Sequence, residues 1–211
     1  MTNLPRPCLM LITSPSPRLL EIIRAAVAGG VDVVQWREKS PDRAKYRQRF
    51  QSVHAASEPA QVVVNGNRDA AIACGGRRIH LPEQALPVGV VRFRIGAARL
   101  VGKSVRSVEG ARRAEADKAD YVLVGPIFAS ASHPGVEPQG LDFLRDVCAA
   151  VSLPVIAGGG VTPENTADCL AVGAAGVAVL TSLMQAEDPQ SAARAYREIL
   201  DMSWQEKAAT K

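Results

Sequence analysis

Short apolar runs rich in β-branched residues recur along this chain, and nearly every one is followed by a stretch with helical spacing. The runs fall at 9–13, 31–36, 62–64, 78–81, 100–105, 121–124, 154–157 and 176–180. Helical patterns follow, opening at Pro17-Arg18, Pro41, Arg68, Val108, Leu141, Thr162-Pro163-Glu164 and about Pro189. Thr162 suits an N-cap, and Pro41 and Pro163 suit a first helical turn, where a missing N–H leaves no bond unmade. The runs are apolar almost throughout rather than alternating, which marks a parallel sheet covered on both faces. Eight units in 211 residues are about 26 residues each, enough for a compact βα repeat. The expected fold is therefore α/β, a single-domain TIM (β/α)8 barrel over residues 1–203, with 204–211 as a flexible tail. A doubly wound open sheet is the runner-up. It would want a glycine-rich loop after its first strand, and that turn reads Thr13-Ser14-Pro15-Ser16-Pro17.

Composition removes several classes. No stretch approaches the 18 or so apolar residues of a membrane span, and MTNLPRP lacks the basic and apolar regions of a secretory leader. Lys and Arg number 25 against 21 Asp and Glu, a net +4, and aromatic residues are 4%. A mild, scattered positive balance with few aromatics argues against nucleic acid and suits a small anionic ligand. Cys8, Cys74, Cys148 and Cys169 form no C-x-x-C pair. They read as reduced core thiols, which implies a cytoplasmic setting.

In such a barrel the chemistry gathers at the C-terminal ends of the strands. Gly158-Gly159-Gly160 follows the seventh run and Thr181-Ser182 the eighth. That pair of loops is the fold's usual phosphate site, where glycine lets backbone N–H groups approach an anion. A tight turn alone would also use glycine. After the second run comes Gln35-Trp36-Arg37-Glu38-Lys39; strand alternation puts Gln35, Arg37 and Lys39 on one face, suited to anions. Asn65 closes the third run, and Ser104 and Arg106 close the fifth. Ser130, Ser132 and His133 lie in a loop able to act as a lid. Of three histidines, His54 reads as exposed, while His80 and His133 are the acid–base candidates.

Long stretches in order resemble the thiamine phosphate synthase / thiazole tautomerase superfamily: GVDVVQWREK (30–39), Asn65, IHLP (79–82), GKSV (102–105), ADYVLVGPIF (119–128), PVIAGGGVTPEN (154–165) and GAAGVAVLTS (173–182). The resemblance implies a barrel of thiamin metabolism, with a thiazole phosphate held at Gly159, Gly160, Leu180 and Thr181. It places Gln35, Arg37, Lys39, Asn65 and Ser104 on the pyrimidine and diphosphate side, and a homodimer is plausible on the same ground. Synthases of the superfamily carry Asn-Asp-Arg and His-x-Gly-Gln-x-Asp, whose carboxylates hold magnesium. Here those motifs read Asn65-Gly66-Asn67 and His80-Leu81-Pro82-Glu83-Gln84-Ala85. Their Thr-x-Thr-Lys loop reads Ser130-Ala131-Ser132-His133. The absent carboxylates turn the expectation to the metal-free branch: a tautomerase-like isomerase that aromatises a carboxythiazole phosphate, without cofactor. Arg106 stands where those enzymes carry a histidine, so His133, with His80 behind it, is the expected proton carrier. The alternatives are a magnesium-dependent synthase coupling a pyrimidine diphosphate to a thiazole phosphate, and a phosphate-ligand binder without turnover.

Overall fold

The computed structural model describes residues 4–38, 43–66, 78–95, 100–130 and 135–209. Its strands are β1 Cys8–Ile12, β2 Val33–Trp36, β3 Gln61–Asn65, β4 Arg78–Leu81, β5 Leu100–Val105, β6 Tyr121–Val124, β7 Val155–Gly158 and β8 Gly176–Val179. All neighbours pair in parallel, and β8 returns to β1 with Cys8 opposite Gly176 and Leu11 opposite Val179. The sheet is thus a closed eight-stranded barrel, and the open-sheet alternative falls. The described helices are α1 Leu19–Ala28, α2 Arg43–Ala56, α3 Val88–Ile95, α4 Val108–Ala116, α5 Gly140–Ala150, α6 Pro163–Ala171, the one-turn α7 Thr181–Met184 and α8 Pro189–Ala209. None of them is long and apolar enough to cross a membrane.

Alternation along each strand builds two cores. Leu9, Leu11, Val34, Trp36, Val62, Val64, Ile79, Val101, Val122 and Val124 point outward and pack against the helices. Cys8, Met10, Val33, Val63, Leu100, Tyr121 and Ile156 point inward and fill the lumen. Each large side chain so buried stabilises the fold by about 2 kcal/mol. One lumen contact depends on a glycine: a Cβ on Gly102 would lie 2.0 Å from Tyr121 Cζ, so the phenol ring occupies the space beside β5.

Helices α3 and α8 depart from the sequence reading. Helix α3 was not foreseen, because Val88-Gly89-Val90-Val91 is β-branched and broken by glycine, a poor helical signal. α8 continues through the residues read as a tail, with Lys207 Nζ donating to the Leu170 carbonyl at 3.2 Å. The short helix expected at 68–74 lies outside the described residues.

Candidate functional site

Two cavities open side by side at the C-terminal mouth of the barrel. The first, about 360 Å³, is lined by Ser130, Gly159, Gly160, Leu180 and Thr181 among others. The second, about 370 Å³, is lined by Gln35, Arg37, Asn65, Glu83, Ser104 and Arg106 among others. Ile12, Gly159 and Leu180 belong to both walls, so the cavities adjoin.

The first cavity is shaped by the glycine loop after β7. Gly159 and Gly160 adopt φ of +81° and +69°. A Cβ on Gly160 would lie 2.3 Å from the Ala129 carbonyl, and one on Gly159 would lie 2.6 Å from Pro126 Cα. Only glycine fits both the backbone angle and the space. Two side chains that the sequence did not single out hold this loop. Asn165, in the first turn of α6, donates from Nδ2 to the Gly160 carbonyl at 3.1 Å and accepts the Thr162 N–H at 2.9 Å. The Tyr196 hydroxyl of α8 donates to the Val161 carbonyl at 2.9 Å and is 2.7 Å from Ser182 Oγ. With the phenol proton so used, Ser182 is the donor of that second bond. Tyr196 therefore ties the loop after β7 to the turn after β8.

The second cavity has a polar floor made by inward positions of β2 to β5. Asn65 Nδ2 donates to Gln35 Oε1 at 2.6 Å, and Gln35 Nε2 lies 3.3 Å from Met10 Sδ. The alternation expected for 35–39 is seen over its described part. Gln35 and Arg37 face the cavity, Trp36 is buried against Tyr46 and Phe50, and Glu38 pairs with Arg49 at 2.8 Å. Arg37 is fixed by its backbone N–H, which donates to the buried Thr13 hydroxyl at 3.1 Å. Arg106 Nε meets Glu83 Oε2 at 3.2 Å, and the Arg106 carbonyl accepts from Gln139 Nε2 at 3.0 Å. Lys103 organises the turn after β4: its ammonium donates to the carbonyls of Pro82, Glu83 and Ala85 at 2.9, 3.0 and 3.2 Å. Burial pulls the Lys103 pKa down, with Glu83 and Asp117 opposing.

His80 lies beneath this floor and is 1% exposed. Its Nδ1 is 3.0 Å from the Tyr121 hydroxyl and its Nε2 is 2.8 Å from Ser104 Oγ. Burial, with a smaller push from Lys103, takes its pKa from the ordinary 6.5 down to about 3. Burial also drives Tyr121 up, so the phenol keeps its proton. Donor accounting then sets the tautomer. The buried phenol needs an acceptor and His80 Nδ1 is the one at hand, so Nε2 carries the hydrogen and donates to Ser104. The Ser104 hydroxyl proton is left to point elsewhere, and Ser104 lines the second cavity.

Of the residues expected at the site, Gln35, Arg37, Asn65, Ser104 and Arg106 gather in the second cavity and Ser130, Gly160 and Thr181 in the first, with Gly159 and Leu180 between them. Lys39, Ser132 and His133 lie outside the described residues. Asn165, Tyr196, Lys103 and Tyr121 were missed, as was the pairing of Glu83 with Arg106. Their partners are set by neighbouring strands and loops, so no local spacing announces them.

Comparison with known proteins gives a consistent picture. The profile of the family described as thiamine monophosphate synthase matches residues 9–183. The thiamine-phosphate synthase of Methanoculleus marisnigri is 41% identical over 184 residues, covering 84% of this chain and 86% of that protein. That of Thermosynechococcus vestitus is 36% identical over 188 residues, 88% of this chain but 54% of the relative. The chain thus spans about half the length of this relative, and likewise of the one from Gloeobacter violaceus. Among solved structures, a thiamine phosphate pyrophosphorylase from Pyrococcus furiosus superposes with a TM-score of 0.83 at 28% identity, covering 93% of this chain and 96% of that one. These relatives overturn the expectation of a tautomerase-like isomerase, since their names are those of a synthase, a transferase. The geometry explains the misreading. His80 is neutral with both nitrogens engaged, so it offers no free base to the cavity. With 175 consecutive positions matched and a barrel that superposes on a solved relative, the chain belongs to the thiamine monophosphate synthase family.

Proposed function

We propose that this protein couples a pyrimidine methyl diphosphate to a thiazole phosphate, giving thiamine phosphate and pyrophosphate. The observation that carries the reading is the pair of adjoining cavities with one shared wall of Ile12, Gly159 and Leu180. Two substrates that must meet need two sites that open onto each other, and holding them there removes much of the entropic barrier to their reaction. The glycine loop takes the thiazole phosphate through backbone N–H groups. Gln35, Asn65 and Ser104 face the pyrimidine diphosphate, with Arg37 and Arg106 beside its phosphates. The thiazole nitrogen lone pair forms the new N–C bond at the pyrimidine methylene. The C–O bond to the diphosphate breaks, and pyrophosphate leaves with that electron pair. The chain's arginines stabilise the charge that grows on the leaving group.

Magnesium is the metal that the family resemblance implies, and the described residues do not fit a protein-held ion. Gly66 and Ala85 offer no side-chain oxygen, and Glu83 is the one acidic side chain among the described residues lining the second cavity, short of the carboxylate pair the family motifs supply. The carbonyls of the turn after β4 are bound by the Lys103 ammonium. No group of three His, Cys, Asp or Glu side chains placed to hold a metal occurs among the described residues. The free thiols of Cys8, Cys148 and Cys169 accord with a reducing, cytoplasmic setting. The reading is tested by incubating the purified protein with both substrates and following product by mass spectrometry. Thiamine phosphate and pyrophosphate formed in equal amounts are expected; substrate recovered unchanged would refute it.

A further inference from the structure

Among the described residues the second cavity offers a divalent ion one carboxylate, Glu83, and no group of three metal-ligating side chains, yet a diphosphate carries several negative charges that must be met. Magnesium takes oxygen ligands in near-octahedral order, usually with one or two carboxylates from the protein. In this cavity the charged lining residues are Arg37, Arg106 and Glu83, a balance of +1. The backbone of each arginine is held in place. Arg37 follows β2 with its N–H on the buried Thr13 hydroxyl, and no carboxylate among the described residues pairs with it. Arg106 follows β5, with its carbonyl held by Gln139 and the next residue, Ser107, capping α4 through an Oγ that accepts the Gly110 N–H at 3.0 Å. The Glu83 partner is easily displaced. The side chains of Arg106 and Glu83 are 47% and 39% exposed, and pairs this open to water are worth little. A phosphate group offers the same fork geometry with more charge. The turn that presents Glu83 is organised around a cation already, because the Lys103 ammonium takes three of its carbonyls.

We infer that Arg37 and Arg106 bind the diphosphate directly, with Glu83 as the counter-anion that it displaces, so that pyrophosphate is held without a divalent cation. This inference rests on the reading above for the identity of the ligand, but its test does not need turnover. Calorimetric titration with inorganic pyrophosphate is run in EDTA and again in magnesium. Binding in EDTA at an affinity within a few-fold of that in magnesium is the expected result. Arg106→Gln and Arg37→Gln should each weaken it about tenfold or more, the loss of a charged hydrogen-bond donor. Glu83→Gln should tighten it, because the competing anion is gone. Thermal unfolding of each variant, unchanged from the parent, shows that the barrel is intact. Pyrophosphate that binds only with magnesium, or that binds Arg106→Gln as well as the parent, would overturn the proposal, as would no binding under either condition. Turnover separates the two readings. Coupling that proceeds while pyrophosphate binding is lost in EDTA leaves the synthase assignment standing and sinks the arginine site. Metal-free binding without coupling does the reverse.

Discussion

At the scale of single residues, the most informative group is His80. Its residue type and its place at the end of β4 suggested an acid–base role. The fold instead seals it between Tyr121 and Ser104 in a place where the charged form is costly. That partnership could not be read from sequence, because Tyr121 reaches His80 from two strands away across the space left by Gly102. The nitrogen resonances of His80 should show the Nε2–H tautomer and should not titrate between pH 8 and 5; a transition near 6.5 would contradict this. The same burial has a stability consequence. In the unfolded chain His80 gains its proton below about 6.5, whereas in the fold it does so only near 3. The unfolded state therefore binds more protons in that window, and stability is lost as pH falls through it. The loss from this one group is at most about 1.4 kcal/mol per pH unit, with no contribution above the window. Urea titrations between pH 7 and pH 5 measure it. Tyr121→Phe should cost about 1 to 2 kcal/mol and release the tautomer preference, visible as a mixed nitrogen pattern.

At the scale of elements, the strands were legible because each is a short, nearly pure apolar run, and all eight lie within a few residues of their expected positions. The loops were legible only in part. Gly159 and Gly160 announced a loop of close backbone approach, and both adopt positive φ in a space that a Cβ would fill. The brace did not announce itself: Asn165 looks like an ordinary first-turn residue, and its second bond to the Gly160 carbonyl appears only in the folded loop. Asn165→Asp keeps the acceptor that serves the Thr162 N–H and loses the donor to Gly160. Its stability should stay near that of the parent while thiazole phosphate affinity falls about tenfold, the measure of a lost bond plus a new negative charge. Asn165→Ala loses both and should also cost about 1 kcal/mol in urea unfolding. Equal affinities in all three proteins would remove Asn165 from the account.

Across the whole molecule, closure of the barrel brings the last helix back to the first two strands. Arg197 of α8 donates to Asp32 at 2.9 Å, and Asp32 also accepts the Leu9 N–H at 2.8 Å. Burial raises the Asp32 pKa, against the pull of the Leu9 N–H and Arg197. Arg197→Ala should destabilise the fold by about 2 kcal/mol, read by urea unfolding, without altering either substrate affinity, since the tie lies away from the cavities. Such ties join residues 165 positions apart. The sequence could indicate a barrel through its repeats but not these long links, nor the pairing of Glu83 with Arg106 in the wall of the second cavity. The same closure sets two cavities against one wall, and that division of labour is the centre of the account. It is tested most directly by steady-state kinetics with both substrates varied, comparing the parent with Asn165→Asp and Arg106→Gln. The first variant should raise KM for the thiazole phosphate alone, and the second KM for the pyrimidine diphosphate alone. Both constants rising together in either variant, or the two effects exchanged, would contradict it.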